Sequence, residues 1–470
     1  MNYEESRKYI QDASSRGSVL GLDNIVNLMN KLGNVQDSLK VVHIAGTNGK
    51  GSTSAYITQI LIEAGYTVGR YTSPAVFDYM EMFTINNINI SEDEYAVNMT
   101  TIKKAIDEME AEQMTLPTPF EIETALAYLY FYRNKCDIAI IETGMGGRLD
   151  ATNIVKSPLV SVLTSISKDH SRFLGETLEE IAFNKAGIIK KNCPVVSAIQ
   201  CDEASKVIKE EAIKNNSKLI ECNKLQNVRF NNDKTYGKYV GSIAFDNILD
   251  KDNTDEKVLN KTNRKYDENE INEDEINANE IKNNEFNIET SMLGTFQVHN
   301  IPTAIETVLV LKSEGFFIYK ENIENGIKNT AICGRCERIN DTPAIYIDGG
   351  HNPGAALNLK NTLEMYFTNR KLVYIIGVLA DKDYDTVLSV TGGLANHIIT
   401  VTPPDNARAL DGRELLKTVL KYNASAEYAD DLEKAVNRGI ECAGDDGVLF
   451  VFGSLSYLGR IKKIVRSKKG

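Results

Sequence analysis

The sequence predicts an α/β protein with parallel-type sheets in two successive blocks. Three observations carry this reading. Short apolar runs alternate with helical stretches from Val41 to Val390, the signature of βαβ units. A glycine-rich loop joins the first strand of that series to its first helix. A low-complexity stretch at about 246–289 breaks the alternation, and a second α/β series follows it.

The elements follow in order. Val41–Ala45 reads as a buried strand, and Ser52–Ala64 follows with helical spacing at Ala55, Ile57, Ile60 and Leu61. Asp137–Ile141 is a second β-rich run, ending at Glu142. Leu159–Leu163 is a third, and Val195–Ser197 a short fourth. A helix is expected over Asn300–Ser313. The second series has strands at Ala344–Ile347, Val373–Val378, Ile398–Val401 and Val448–Phe452, with a helix at Ala355–Tyr366. That block of about 130 residues is long enough for its own core. The expected division is a domain over 1–332, a linker over 333–342 and a smaller domain over 343–470.

Composition narrows the function. Of 470 residues, 42% are apolar and 25% charged, which excludes collagen-like, disulfide-scaffold and fully disordered chains. A formal net charge of −12 offers no general attraction to nucleic acid or to anionic membranes, so a phosphate ligand needs a local site. No apolar run approaches the roughly 18–20 residues needed to cross a bilayer. Met1–Gln11 is charged and has no apolar signal core. The seven cysteines, an odd number, read as free thiols of a cytoplasmic protein. Cys333 and Cys336 form a single CxxC, and zinc would need a second pair.

Over 250–285 the sequence holds 12 acidic residues, 6 basic residues and 9 Asn. Glu270-Ile271, Glu275-Ile276, Glu280-Ile281 and Glu285-Phe286 recur every five residues. That period matches neither helix nor strand, so the apolar residues are not expected to line one face. The expectation is a surface insertion without a core.

The clearest chemistry lies at Gly46-Thr47-Asn48-Gly49-Lys50-Gly51-Ser52, between an apolar strand and a helix. Glycines let backbone N–H groups wrap phosphate oxygens, and the helix N-terminus adds partial positive charge. Lys50 is placed for the β/γ-phosphates, and the Ser52 hydroxyl for Mg²⁺. The strict GxxxxGK[ST] spacing is absent, because Gly51 separates Lys50 from Ser52. Glu142 ends a strand just before Thr143-Gly144-Met145-Gly146-Gly147, where a carboxylate beside a phosphate loop could hold a metal or its water.

Five motifs then fall in one order: the 46–52 loop, Gly146-Gly147-Arg148-Leu149-Asp150-Ala151-Thr152-Asn153, Lys168-Asp169-His170, Asn184-Lys185-Ala186-Gly187-Ile188 and Asp348-Gly349-Gly350-His351-Asn352-Pro353. Together they resemble the folylpolyglutamate synthase and dihydrofolate synthase family, a branch of the ATP-dependent Mur ligases. The likeness runs from about Gly21 to Gly459, apart from the insertion. It implies a P-loop N-terminal domain joined to a smaller Rossmann-like C-terminal domain, with ATP between them. It implies ligation of L-glutamate to a folate, or to dihydropteroate, through an acyl phosphate.

The resemblance also implies roles. Gly46, Thr47, Asn48, Gly49, Lys50, Gly51 and Ser52 would hold ATP, with Asn300, Arg335, Asp348 and His351. Ser52, Ser73, Glu142, His170 and Lys185 would serve two Mg²⁺ ions. Lys50, His170 and a CO₂-carbamylated Lys185 would act in catalysis, and Arg148 and Asp150 toward the acceptor. A soluble cytoplasmic monomer without nucleic-acid or membrane partners is expected. Three positions depart from the family pattern: Phe296 stands where His is usual, Cys333 where Pro is, and Gly350 where Ala is common. Two other functions stay open: another Mur-type amino-acid ligase, and a nucleotide-dependent binding protein that does not ligate.

Overall fold

A computed structural model describes residues 1–17, 21–75, 77–168, 171–231, 234–242 and 285–468. Strands β1 (Val41–Ala45), β2 (Val68–Tyr71), β3 (Phe83–Ile85), β4 (Ile88–Asn89), β5 (Ile138–Glu142), β6 (Val160–Leu163), β7 (Val195–Ser197) and β8 (Leu219–Glu221) form one sheet, ordered β4-β3-β2-β5-β1-β6-β7-β8. From β2 to β8 every pairing is parallel, and β3 and β4 add an antiparallel edge. Helices cover both faces, which is why β1, β5 and β6 are apolar almost throughout and fully buried. Val41, Tyr71, Ala139 and Ile141 pack under helices Asp23–Lys31, Glu92–Ala111 and Pro119–Arg133. Val42, Ile44, Ile138 and Ile140 pack under helices Lys50–Glu63 and Gln297–Ser313.

Strands β9 (Gln226–Asn231), β10 (Lys234–Val240) and β11 (Glu285–Thr290) make a small antiparallel sheet. Here the insertion reading needs correction. The 246–289 stretch was expected to line no face, yet its C-terminal end is β11, with Phe286, Ile288 and Thr290 buried in alternation. Strand pairing with β10, from Val240↔Glu285 to Thr235↔Thr290, imposes the period of two that sequence alone did not show. The other period-five repeats lie outside the described residues.

Strands β12 (Glu337–Asn340), β13 (Ala344–Ile347), β14 (Leu372–Ile376), β15 (His397–Thr400), β16 (Ala426–Tyr428) and β17 (Val448–Phe452) form a third sheet, ordered β12-β13-β17-β14-β15-β16. It is parallel except for β12, which comes from the stretch expected as linker. Its two faces build separate cores. The helix expected from Asn300 starts earlier, at Gln297.

In parallel α/β sheets, ligands gather beyond the carboxyl ends of the strands, where the strand order reverses. In the N-terminal sheet that point is β1, with β5 on one side and β6 on the other. Strand β1 runs into the phosphate loop, β5 ends on Glu142, β6 leads to Thr164–Ser167 and β2 leads to Ser73. In the C-terminal sheet, β13 leads to Asp348 and β17 to Ser454.

Candidate active site

The phosphate loop is shaped by its own sheet. The N–H groups of Thr47 and Asn48 donate to the Ser165 carbonyl at 2.9 and 3.2 Å, and the Thr47 hydroxyl donates to the Ser167 carbonyl at 2.9 Å. Gly49 caps helix Lys50–Glu63 with φ of 89°, a left-handed conformation that favours glycine. A Cβ there would also collide with the amide oxygen of Asn300. Lys50 Nζ donates to the Gly46 carbonyl at 3.2 Å and lies 3.8 Å from Glu142 Oε1. Lys185 Nζ donates to that same carbonyl at 2.8 Å, and the residue is 3% exposed. Two lysine side chains thus converge on one backbone oxygen behind the loop.

Glu142 is buried, and burial raises its pKa; the charges of Lys50, Arg335 and Arg70 pull it back down. Arg70 shares Glu142's face of the sheet, because it pairs in register with Ile140, two residues before Glu142. Burial has the larger effect and leaves the pKa raised, while the three cations favour the anionic oxygen donor against it.

The opposite wall comes from the C-terminal sheet. Asp348 Oδ1 accepts the Gly350 N–H at 2.7 Å, and Asp348 Oδ2 accepts the Cys336 N–H at 2.8 Å. The Gly349 N–H donates to the Gly334 carbonyl at 2.9 Å. A Cβ at Gly350 would press on Asp348 Oδ1 at 2.8 Å, so glycine at this departure leaves the carboxylate its place.

Thr47, Asn48, Gly49, Lys50, Gly51, Ser52, Ser73, Glu142, Asn300, Arg335, Asp348 and His351 all line one cleft of about 610 Å³ between the two large sheets. Twelve of the residues singled out from sequence therefore meet, although they span 300 positions of chain. Gly46 and Lys185 lie behind the loop rather than in the cleft wall. His170 falls outside the described residues. Arg148 lies over the Phe183 ring at 3.9 Å and pairs with Glu211 at 2.8 Å. Asp150 is buried and caps the short helix Ala151–Ile154.

The cleft also contains two residues for which sequence offered no separate signal: Ser165, which holds the loop, and Asn406. Phe296, a departure from the family pattern, adds to the wall with His299, Lys382, Arg408 and Ser454, which lie in runs that resemble the family's. Phe120 packs on Gly144 so closely that a Cβ there would meet the ring at 2.5 Å. A Ser-x-Ser after an apolar strand is the only trace of the Ser165 and Ser167 contacts. Phe120, on a helix far from every motif, leaves none. Elsewhere, His397, Glu427 and Cys442 bring possible metal ligands within 4.8 Å of one another. Arg438 already donates to Glu427 Oε1 at 2.8 Å, so a guanidinium stands where a metal's charge would. Cys333 and Cys336 are free thiols like the other five cysteines. No helix among the described residues is long and apolar enough to cross a membrane.

Comparison with known proteins agrees with this architecture. Residues 44–308 match the Mur ligase middle domain, and residues 334–455 match the Mur ligase glutamate ligase domain. The fold and cleft are those of an ATP-dependent ligase of the Mur superfamily. The chain is 33% identical to the dihydrofolate synthase/folylpolyglutamate synthase of Bacillus subtilis, over 98% of each protein. It is 31% identical to the folylpolyglutamate synthase of Lacticaseibacillus casei, over 87% of each. Its fold matches a solved FPGS–AMPPCP–folate complex with a TM-score of 0.77 and 26% identity, covering 98% of this chain and 99% of that one. The chain belongs to the folylpolyglutamate synthase/dihydrofolate synthase family.

Proposed function

We propose that this cleft binds ATP and adds L-glutamate to the carboxylate of a folate or of dihydropteroate, releasing ADP and phosphate. One observation carries the reading: Lys50, Ser52 and Glu142 from one sheet face Arg335, Asp348 and His351 from another across a single cleft. The division that fits is an ATP-binding unit through residue 332 and a smaller unit from 343, joined by 333–342. Closure of one on the other would complete the site.

The backbone N–H groups at the start of helix Lys50–Glu63 and the Lys50 ammonium face the phosphates of ATP. The γ-phosphate then lies at Lys50 and Ser52, with Glu142 beside it. The acceptor approaches from the side of Ser73, Ala75 and Gly144. Its carboxylate oxygen attacks the γ-phosphorus and ADP leaves, giving an acyl phosphate. The glutamate amine attacks the acyl carbon, the C–O bond to the phosphate breaks, and inorganic phosphate leaves with the proton the amine gives up. Positioning and charge neutralisation supply most of the rate.

Ser52, Ser73 and Glu142 form an oxygen donor set in one wall, which fits Mg²⁺. Mg²⁺ there would neutralise charge developing on the transferred phosphoryl group. A carbamate on Lys185 would turn one of two converging cations into an anion and provide further oxygen ligands behind the loop. His170 is assigned the remaining ligand position on the family pattern. Asn300, with its oxygen against Gly49, is assigned to the nucleotide. Asp150 shapes the loop against which the acceptor rests. Arg148 is assigned to the same loop, through Phe183 and Glu211. We read the enzyme as a cytoplasmic monomer on its composition.

The test is release of ADP that depends on glutamate, with dihydropteroate and tetrahydrofolate compared as acceptors. ADP release that ignores both acceptor and glutamate would favour a nucleotide-dependent binding protein. Ligation to a different acceptor would favour another Mur-type amino-acid ligase.

A further inference from the structure

A polar residue sits in the middle of β1, one of the fully buried strands of the N-terminal sheet. His43 is fully buried, and its Nε2 lies 2.8 Å from the Thr152 hydroxyl. Its Nδ1 is buried without a hydrogen-bond partner. Burying an imidazole and leaving one nitrogen unused costs stability, so the other nitrogen's bond needs a reason.

The bond order along this chain fixes the proton positions. Asp150 Oδ1 accepts from the Thr152 N–H at 3.0 Å and from the Thr152 hydroxyl at 2.6 Å. Asp150 Oδ2 accepts from the Met145 N–H at 2.7 Å, and the Gly144 N–H also points at this carboxylate. Burial raises the pKa of Asp150, but four donors aimed at its carboxylate favour the ionised acceptor. The single proton of the Thr152 hydroxyl is therefore committed to Asp150. Thr152 can only accept from His43, so His43 carries its proton on Nε2 and leaves Nδ1 bare. A charged imidazolium would bury an N–H with no acceptor. Tyr128 holds the other side of Thr152, donating to its carbonyl at 2.9 Å.

The far end of this chain reaches the cleft. Gly144 lines the cleft two residues after Glu142, and Asp150 holds the Gly144–Met145 backbone in place. We propose that His43 is a positioning residue for the acceptor: through Thr152 and Asp150, its Nε2–H sets the Gly144 loop against which the folate-type substrate rests. This rests on the ligase reading given above. It adds to that reading a buried His–Thr–Asp chain, anchored only three residues before the phosphate loop, that serves the acceptor and not the nucleotide.

The test compares His43→Leu, which removes the donor at similar volume, with His43→Gln, whose amide N–H can reach the place of Nε2. Thr152→Val breaks the chain one link further on. Expected is a rise of about tenfold in the acceptor KM for His43→Leu and for Thr152→Val, with the ATP KM within about twofold. His43→Gln should recover most of that rise, which a loss of mere packing would not predict. Where His43→Leu yields no folded protein, Thr152→Val decides. An unchanged acceptor KM in folded His43→Leu or Thr152→Val would overturn the proposal, as would equal rises for ATP and acceptor. A His43→Gln enzyme no better than His43→Leu would do the same. Failure of the ligase reading looks different: the unmodified enzyme would then show no glutamate-dependent ADP release at all.

Discussion

The two walls of the cleft are built alike and held differently. Each is a loop leaving the carboxyl end of a parallel strand and entering a helix, at Gly46–Ser52 after β1 and at Asp348–Asn352 after β13. The first is tied to its own sheet, by the Ser165 and Ser167 carbonyls. The second is tied to the 334–336 segment, through Gly349 to Gly334 and Asp348 to Cys336. The phosphate loop is therefore shaped by its own sheet. The Asp348 loop takes its shape from the 334–336 segment. On the reading proposed above, closure of the cleft would act on the second loop, and the phosphate chemistry would belong to the first.

Substitutions can break this division, in order of size. On the proposed reading, Lys50→Met should lower kcat by a hundred- to about a thousandfold, because it removes the cation assigned to the β/γ-phosphates. Steady-state ADP release measures it, and a loss below about tenfold would place the chemistry elsewhere. Lys185→Ala should cost about a hundredfold in turnover, since the residue sits directly behind the same loop. Added small carboxylates should restore part of it, as stand-ins for carbamate oxygens; mass spectrometry of the intact protein reads the modification directly.

Asp348→Asn should act on the other wall. It replaces one of the two carboxylate oxygens that accept the Gly350 and Cys336 N–H groups with an NH2 donor, so one of these N–H groups loses its acceptor, a loss of about 1–3 kcal/mol from the loop. The expected result is a raised KM for ATP with a smaller change in kcat, the reverse of Lys50→Met. Equal effects at both positions would erase the distinction between the walls.

The His43 chain under the first loop makes a pH prediction. Burial, with help from Lys190, lowers its pKa from 6.5 to about 3. The unfolded chain binds a proton below 6.5 that the folded chain refuses until about 3. This residue therefore makes stability fall as pH drops through that window. His43→Gln should lose that part of the dependence and unfold less readily on acidification than the parent does. Urea melts at about pH 7 and about pH 5 would show it, and identical acid sensitivity would mean that His43 is not neutral in the fold.

The smallest effect belongs to neither wall. Val240 pairs with Glu285, so the ends of β10 and β11 already lie side by side. A short Gly/Ser turn replacing 250–284 can close that hairpin and should leave ligation and the melting temperature nearly unchanged. A tenfold fall in kcat/KM would give the segment a part in the site.

The comparison also shows what could be read from the sequence alone. The phosphate loop and Glu142 were legible because each ends a local apolar strand in a loop, and the chemistry follows from a few adjacent residues; the Asp348 run was legible only through its resemblance to the family pattern. The parallel α/β architecture was legible for the same reason: strands buried on both faces must be continuously apolar. Tertiary structure alone decided the rest. It placed Lys185 against the Gly46 carbonyl, laid Arg148 on Phe183 and Glu211, and brought Phe120 onto Gly144. It made β11 from a stretch whose spacing is neither helical nor extended, because pairing with β10 gives its buried side chains one face. It also linked His43 to Thr152, 109 positions away. Such contacts depend on which strands become neighbours, and strand order is set by packing the whole sheet rather than by any local run of residues.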